Sequence, residues 1–238
     1  MCGVLKGMTD HLIVATAADC QKGYYDALEA QVCRAGIDFI WQPLVPFSWR
    51  KLVLWELAIA SSYPDALIAF CDSWDELFLG SRKEFEAVLS AQPLLFNSEK
   101  LCWPHPEKAT RYPPCDTPWR FVNGTAPAGL GYAITDALEY GMDRFPIIGD
   151  GTGVHDITVD NDQRFWTDVY LAGTGKLDTE CRLSQSLVMV KQGELAVKGG
   201  RLVNKITGSK PLFVHANGAS AMLGQRGLMD ILATYRTT

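Results

Sequence analysis

The sequence predicts an α/β domain: a mostly parallel sheet flanked by helices, with additional short strands in the C-terminal half. Three observations carry that expectation. Apolar runs of strand length alternate with runs of helical spacing through the first 71 residues, giving β-α-β-α-β. The strand-length runs are apolar throughout rather than alternating, the pattern of strands buried on both faces. Two such runs, one early and one late, end abruptly in polar residues, and parallel sheets place ligand sites at strand ends of this kind.

His11 to Ala18 reads as the first buried strand, rich in branched residues. Asp19 or Cys20 precedes a helix over Tyr24 to Ala35, closed by Gly36. Ile37 to Trp41 is the second strand, followed by a loop holding Pro43 and Pro46. Lys51 to Ser61 is an apolar helix, and Pro64-Asp65 turns the chain into a third strand, Ala66 to Cys71. Arg82 to Ala91 and Pro93 to Asn97 continue the alternation as helix and strand. Prolines at 104, 106, 113, 114 and 118 oppose regular structure. Trp103, Tyr112 and Trp119 give that stretch something to bury, so it reads as an ordered loop over the site. A Gly- and Ala-rich stretch leads to a helix starting at Thr135 or Asp136, and another helix spans Asp160 to Leu171. Short strands near Leu177, Leu187 to Val190 and Leu212 to His215 precede a tail helix near Leu228 to Tyr235. Glycines 149, 151, 153, 173 and 175 mark turns; the first three lack the GK[ST] of a phosphate loop.

With 238 residues, 47% hydrophobic and 21% charged, the chain suits a single domain over 1–238. A net charge of -5 and no run of five basic residues argue against a nucleic-acid partner. An anionic substrate would then need local positive charge, most simply a bound metal. No apolar run approaches a membrane span, and Met1 to Asp10 has no secretory pattern. Seven cysteines without CxxC spacing fit reduced thiols, so a cytoplasmic or otherwise reducing compartment is the expectation.

The third strand ends in Asp72-Ser73-Trp74-Asp75. Two carboxylates three positions apart at a strand end can converge on a hard divalent cation, Mn2+ or Mg2+. The alternative is that Asp75 caps a helix beginning near Glu76 while Asp72 serves the turn. His215 ends Pro211-Leu212-Phe213-Val214 in the same way and can complete such a site, which favours Mn2+. Its alternative is a half-buried ring satisfied by a backbone carbonyl. Asp162, at a helix start, is either a cap or a carboxylate that reaches a sugar hydroxyl or acts as a base. Trp103 either packs the loop or offers a flat face to a sugar ring. Lys51 either meets a phosphate or is an exposed cation, and His105 and His155 read as solvated loop residues. No GxSxG elbow or cysteine-nucleophile motif is present.

In order along the chain, the segments Phe70-Cys71-Asp72-Ser73-Trp74-Asp75-Glu76-Leu77-Phe78, Asn97-Ser98-Glu99-Lys100-Leu101-Cys102-Trp103-Pro104 and Arg120-Phe121-Val122-Asn123-Gly124 resemble a known family. Gly129-Leu130-Gly131-Tyr132-Ala133, Asn161-Asp162-Gln163-Arg164-Phe165, Leu177-Asp178, Cys181-Arg182 and Val214-His215-Ala216-Asn217-Gly218 extend the likeness. The set is similar to the glycosyltransferase domain of the procollagen lysyl hydroxylases and related collagen glucosyl- and galactosyltransferases. That resemblance implies a GT-A-like fold and Mn2+-dependent transfer of a hexose, glucose or galactose, from a UDP-sugar to an acceptor hydroxyl, hydroxylysine-linked in the family. It implies Asp72, Asp75 and His215 as metal ligands, Asn217 and Gly218 against the diphosphate, and Thr16 near the uridine. It also implies Lys51 near the nucleotide end, Trp103 near the sugar and Asp162 on the acceptor or sugar side.

Three departures accompany it. Asn123-Gly124-Thr125-Ala126-Pro127 stands where the family shows Asn-Ser-Gly-Gly, Asn161 replaces a second carboxylate, and Pro104-His105 replaces proline-aspartate. The first underlies the alternative of an inactive UDP-sugar-binding domain with an interaction or scaffolding role. A nucleotidyltransferase, the other rival, would need a basic phosphate loop near the first strand, where the sequence has none.

Overall fold

The computed structural model describes residues 11–125, 127–145, 161–218 and 225–234. Strand β1 (Leu12–Ala18) pairs in parallel with β2 (Asp38–Pro43) on one side and β3 (Leu67–Phe70) on the other. Beyond β3 lie β8 (Ala128–Leu130), β5 (Leu94–Phe96) and β9 (Lys176–Leu177), so the six-stranded order is β2-β1-β3-β8-β5-β9. Only β8 runs antiparallel to its neighbours. The expected mostly parallel sheet is present.

Unbroken apolar strands are explained by cores on both faces. Side chains alternate along a strand, so Ile13, Ala15, Ile68 and Phe70 enter one core and Leu12, Val14, Leu67 and Ala69 the other. The first core is filled by α2 (Trp49–Ser62), α4 (Gly131–Arg144) and α5 (Asp162–Leu171), through Val53, Ala60, Ile134, Leu138, Phe165 and Trp166. The second is filled by α1 (Tyr25–Arg34) and α3 (Arg82–Leu89), through Leu28, Val32, Phe85 and Leu89. Ser48 caps α2, and Ser81 and Glu84 form a reciprocal capping box on α3.

Several expectations are corrected. The helix that the capping alternative places near Glu76 is instead strand β4 (Glu76–Phe78), which pairs antiparallel with β13 (Phe213–His215). Phe78 faces the second core and Leu77 a third, so both faces of this segment are buried and a one-sided helix cannot satisfy it. Strand β10 (Ser184–Ser186) joins β13 in parallel, and the strand expected over Leu187 to Val190 ends before it begins. Met189, at φ 55, breaks the extended path there. Helix α4 starts at Gly131, ahead of Thr135, because its first turn docks on the end of α2. A Cβ on Gly131 would lie 2.1 Å from the Tyr63 carbonyl oxygen.

Besides β8 and β10, three pairings or stretches lie outside the expectations from sequence. Strands β6 (Ser98–Glu99) and β7 (Phe121–Val122) pair antiparallel. A hairpin joins β11 (Leu195–Lys198) to β12 (Arg201–Asn204) through Gly199 and Gly200, both at positive φ. Within the proline-rich loop, Pro106–Arg111 forms a 3-10 stretch; of the three aromatics expected to be buried there, Tyr112 and Trp119 are, while Trp103 is exposed. The tail helix α6 (Arg226–Ala233) is present. Asp160 as a helix start, Tyr235 as a helix end, Gly149, Gly151, Gly153 and His155 lie outside the described residues. Among the described residues no helix is long and apolar enough to cross a membrane.

Asp178, just after β9, accepts the Leu183 amide at 2.6 Å and is buried. Burial outweighs its backbone donors and raises its carboxyl from 3.8 to about 6. The folded state therefore holds this proton more tightly than the unfolded chain. The contribution is full below about pH 4 and is lost as the pH rises through about 6. Asp178→Asn is expected to flatten the dependence of Tm on pH across that window, read from thermal melts at stepped pH.

Candidate active site

Pairing of β4 with β13 is what assembles the site. It sets His215 opposite Glu76, and the Ala216 amide donates to the Asp75 carbonyl at 2.8 Å. Glu76 in turn accepts the Asp72 amide at 3.0 Å and the Ser184 hydroxyl at 3.1 Å, folding the turn so that Asp72 and Asp75 face one side. One ligand atom from each of Asp72, Asp75 and His215 lies within 4.8 Å of the others. His215 Nε2 and Asp75 Oδ1 are 3.1 Å apart. Neither atom has solvent access or an aligned hydrogen bond among the described residues. Buried polar atoms are rarely left this way, and two carboxylates with an imidazole are a donor set for Mn2+. The residues therefore fit a divalent cation.

Behind the ligands, amide and carboxylate side chains settle the imidazole tautomer. Glu99 Oε1 accepts Gln163 Nε2 at 2.7 Å, and Glu99 Oε2 accepts Asn123 Nδ2 and Asn217 Nδ2, each at 2.7 Å. With its NH2 committed to Glu99, Asn123 turns its Oδ1 to His215 Nδ1 at 3.1 Å. An amide oxygen only accepts, so Nδ1 carries a proton and Nε2 is turned to Asp75, the edge of the ring that a metal would take in place of a proton.

Electrostatics agree with a cation position. Without a cation, burial opposes charge on His215, but Asp75, Glu76 and Asp72 raise it to about 10. Desolvation by the surrounding protein and then the Asp75 charge lift Asp72 to about 6, although the residue as a whole is exposed. Burial lifts Glu76 to about 7, while burial and then the Asp72 charge bring Asp162 to about 7. Burial also raises Glu99, against its three amide donors.

Two adjoining cavities open here. One, of about 350 Å3, is lined by Asp72, Asp75 and His215 together with Trp103, Asp162, Asn217 and Gly218. The other, of about 260 Å3, runs from the end of β1 at Ala17, Ala18 and Asp19, past Trp49, Trp55 and Trp74. Asp72, Gly124, Thr125 and Asp162 line both. Seven of the nine residues singled out from the sequence thus meet in one place. Thr16 and Lys51 line neither cavity. Alternation along β1 turns Ala15 and Ala17 to the cavity and buries Thr16 away from it. Lys51 instead donates to the Pro46 carbonyl at 2.8 Å. Of the altered 123–127 segment, Asn123, Gly124 and Thr125 line the site, and Ala126 lies outside the described residues.

Sequence reasoning left Glu99, Asn123, Gln163 and Glu56 without roles. A signal existed for Glu99: it follows the apolar strand Leu94–Phe96 as Asp72 follows Leu67–Phe70. Asn123 and Gln163 depend on amide orientations that no local pattern specifies.

The family model described as PLOD GT domain matches residues 51–235. Protein R699 of Acanthamoeba polyphaga mimivirus, uncharacterized, is 29% identical over 174 residues, covering 70% of this chain and 34% of that protein. The human multifunctional procollagen lysine hydroxylase and glycosyltransferase LH3 is 29% identical over 179 residues, covering 66% of this chain and 21% of its own. The procollagen-lysine,2-oxoglutarate 5-dioxygenase of Drosophila melanogaster is 32% identical over 192 residues, covering 71% and 24%. The chain spans about a third or less of these relatives' lengths. Among solved structures, a glycosyltransferase involved in the glycosylation of the major capsid of PBCV-1 superposes with a TM-score of 0.51 at 11% identity. That alignment covers 92% of this chain and 99% of the other, a likeness of fold.

Proposed function

This chain belongs to the PLOD GT domain family, and we propose from that premise that residues 1–238 act as one Mn2+-dependent hexosyltransferase unit. The reaction would move glucose or galactose from a UDP-sugar to an acceptor hydroxyl. A hydroxylysine hydroxyl is the first acceptor to try, because the human relative's name joins procollagen lysine hydroxylation to glycosyl transfer. The observation that carries the reading is the solvent-free pair His215 Nε2 and Asp75 Oδ1, 3.1 Å apart and with no other side-chain partner among the described residues, beside Asp72.

Asp72, Asp75 and His215 would hold the cation, which when bound supplies Lewis-acid charge to the departing diphosphate. Asn217, pinned between Glu99 and the Ser186 hydroxyl, presents its neighbour Gly218 to the diphosphate. Gly218, at φ 82, adopts a backbone that only glycine takes without strain, and it adds no side chain to block close approach. Trp103, 39% exposed at the cavity mouth, offers an apolar face to the sugar ring. Asp162 is fixed by the Gln163 amide at 2.8 Å and held at about 7, which suits it to take the acceptor proton or orient the sugar near neutrality. Thr16 and Lys51, which line neither cavity, carry no role in this reading.

Calorimetric titration of UDP with and without Mn2+ tests the site, followed by UDP-release assays with UDP-glucose, UDP-galactose and a panel of acceptors. Mn2+ is expected to tighten UDP binding at least about tenfold, equivalent to about 1.4 kcal/mol, with release above background for one hexose donor. Binding without turnover on every donor would leave a nucleotide-sugar-binding domain and remove the transfer step.

A further inference from the structure

One acid in the cavity beside the metal ligands has no task in the reading above. Glu56 sits on α2, is 2% exposed, and its Oε2 has neither solvent access nor a hydrogen-bond partner among the described residues. The cavity it lines is mostly apolar, walled by Phe47, Leu52, Trp55 and Phe70, with Asp72, Thr125 and Asp162 among its polar members. A carboxyl withdrawn from water without a partner is destabilising, and such groups persist where a ligand completes them.

What that ligand presents can be read from the neighbours. The Glu56 cavity is continuous in its lining with the metal cavity through Asp72, Gly124, Thr125 and Asp162. With the diphosphate at Asp72 and Asp75, a hexose beside Gly124, Thr125 and Asp162 would lie where the two cavities meet, with Trp103 lining one and Glu56 the other. The charged group that acts on Glu56 is Asp162, the residue read above as lying on the acceptor or sugar side. Burial, and then the Asp162 charge, push the Glu56 carboxyl well above 4.5, toward the neutral acid. A neutral carboxyl donates through one oxygen and accepts through the other. Adjacent hydroxyls of a pyranose offer the complementary pair.

We propose that Glu56 is a donor-sugar contact whose carboxyl receives hexose hydroxyls and sets which hexose is accepted. The inference rests on the nucleotide-sugar reading of the same site and deepens it from a donor class to a specificity residue. A site built to hydrogen-bond a hydroxyl rejects the epimer that misplaces it, because the buried polar group is then left unpaired.

The test compares wild type, Glu56→Gln and Glu56→Leu with Mn2+ and three ligands: UDP, UDP-glucose and UDP-galactose. Calorimetric Kd values and thermal melts are the readouts. UDP affinity is expected to stay within about twofold in both variants. Affinity for the preferred UDP-hexose is expected to fall about tenfold in Glu56→Leu and less in Glu56→Gln, with the glucose-to-galactose preference shrinking toward unity. The ligand-free Tm of Glu56→Leu should equal or exceed that of wild type, because an unpartnered carboxyl has been removed. Equal losses for UDP and UDP-hexose would place the carboxyl on the nucleoside or in the fold and overturn the proposal. So would unchanged UDP-hexose affinity and preference, or a wild type that binds UDP without distinguishing the two hexoses. A wild type that binds no UDP with Mn2+ would instead overturn the underlying function, and this inference with it.

Discussion

Asp75→Ala is expected to lower Mn2+-supported sugar transfer about a thousandfold while leaving the fold in place. The variant deletes one of three donors from the cluster and leaves Asp72 and His215 unable to enclose an ion. Lewis-acid stabilisation of a leaving diphosphate is worth several kcal/mol, and about 4 kcal/mol is a factor of about a thousand. The backbone bond from Ala216 to the residue 75 carbonyl does not involve the deleted carboxylate, so the β4–β13 junction survives. UDP release measured across a Mn2+ series, with a thermal melt of each protein, separates the two effects. His215→Ala should match it, because in the proposed site both atoms of the 3.1 Å pair would serve one ion. Activity within tenfold of wild type in either variant would mean that the cluster does not support catalysis.

The candidate ligands are legible in the sequence and what holds them is not, for one physical cause. Asp72 and His215 were legible because each ends a short apolar run, a local pattern that burial on two faces imposes on the sequence. Their meeting was not legible. It depends on Glu76–Phe78 pairing with Phe213–His215, a three-residue strand whose opening Asp75-Glu76 carries the marks of a helix start. Capping chemistry and strand-end chemistry use the same acidic residues, and only the distant partner strand decides between them. The early start of α4 was hidden in the same way, since Gly131 is read as a loop residue until the α2 carbonyls it packs against are known. Thr16 shows a subtler dependence: which side of β1 faces the cavity is a question of parity, fixed by register with β2 and β3. Resemblance could nominate Thr16 and Lys51, but only the packed sheet and the Pro46 carbonyl show where their side chains go.

Glu99→Gln should damage metal binding without touching a ligand, because it reverses the polarity of one arm of a carboxylate that only accepts. Glu99 is 1% exposed and receives three amide donors, from Gln163, Asn123 and Asn217. Glutamine fills the same volume but must aim an NH2 at one side of that cage. Placed toward Gln163, it faces a donor whose NH2 is also shared with the Val122 carbonyl at 2.9 Å. Placed toward Asn123 and Asn217, it opposes two donors at once. Asn123 can relieve the conflict by flipping, but its NH2 would then face His215 Nδ1–H and the Thr125 amide, which now donates to Asn123 Oδ1 at 3.0 Å. Each buried donor left unpaired costs about 1–3 kcal/mol, so stability should fall by about 2–4 kcal/mol. Loss of the group that orients a metal-bound imidazole typically weakens metal affinity about 10- to 100-fold. Thermal melts and Mn2+ titration of the variant check both numbers. Wild-type Mn2+ affinity in Glu99→Gln would show that the imidazole keeps its orientation without the Glu99–Asn123 relay, and the metal site would then rest on the strand pairing alone.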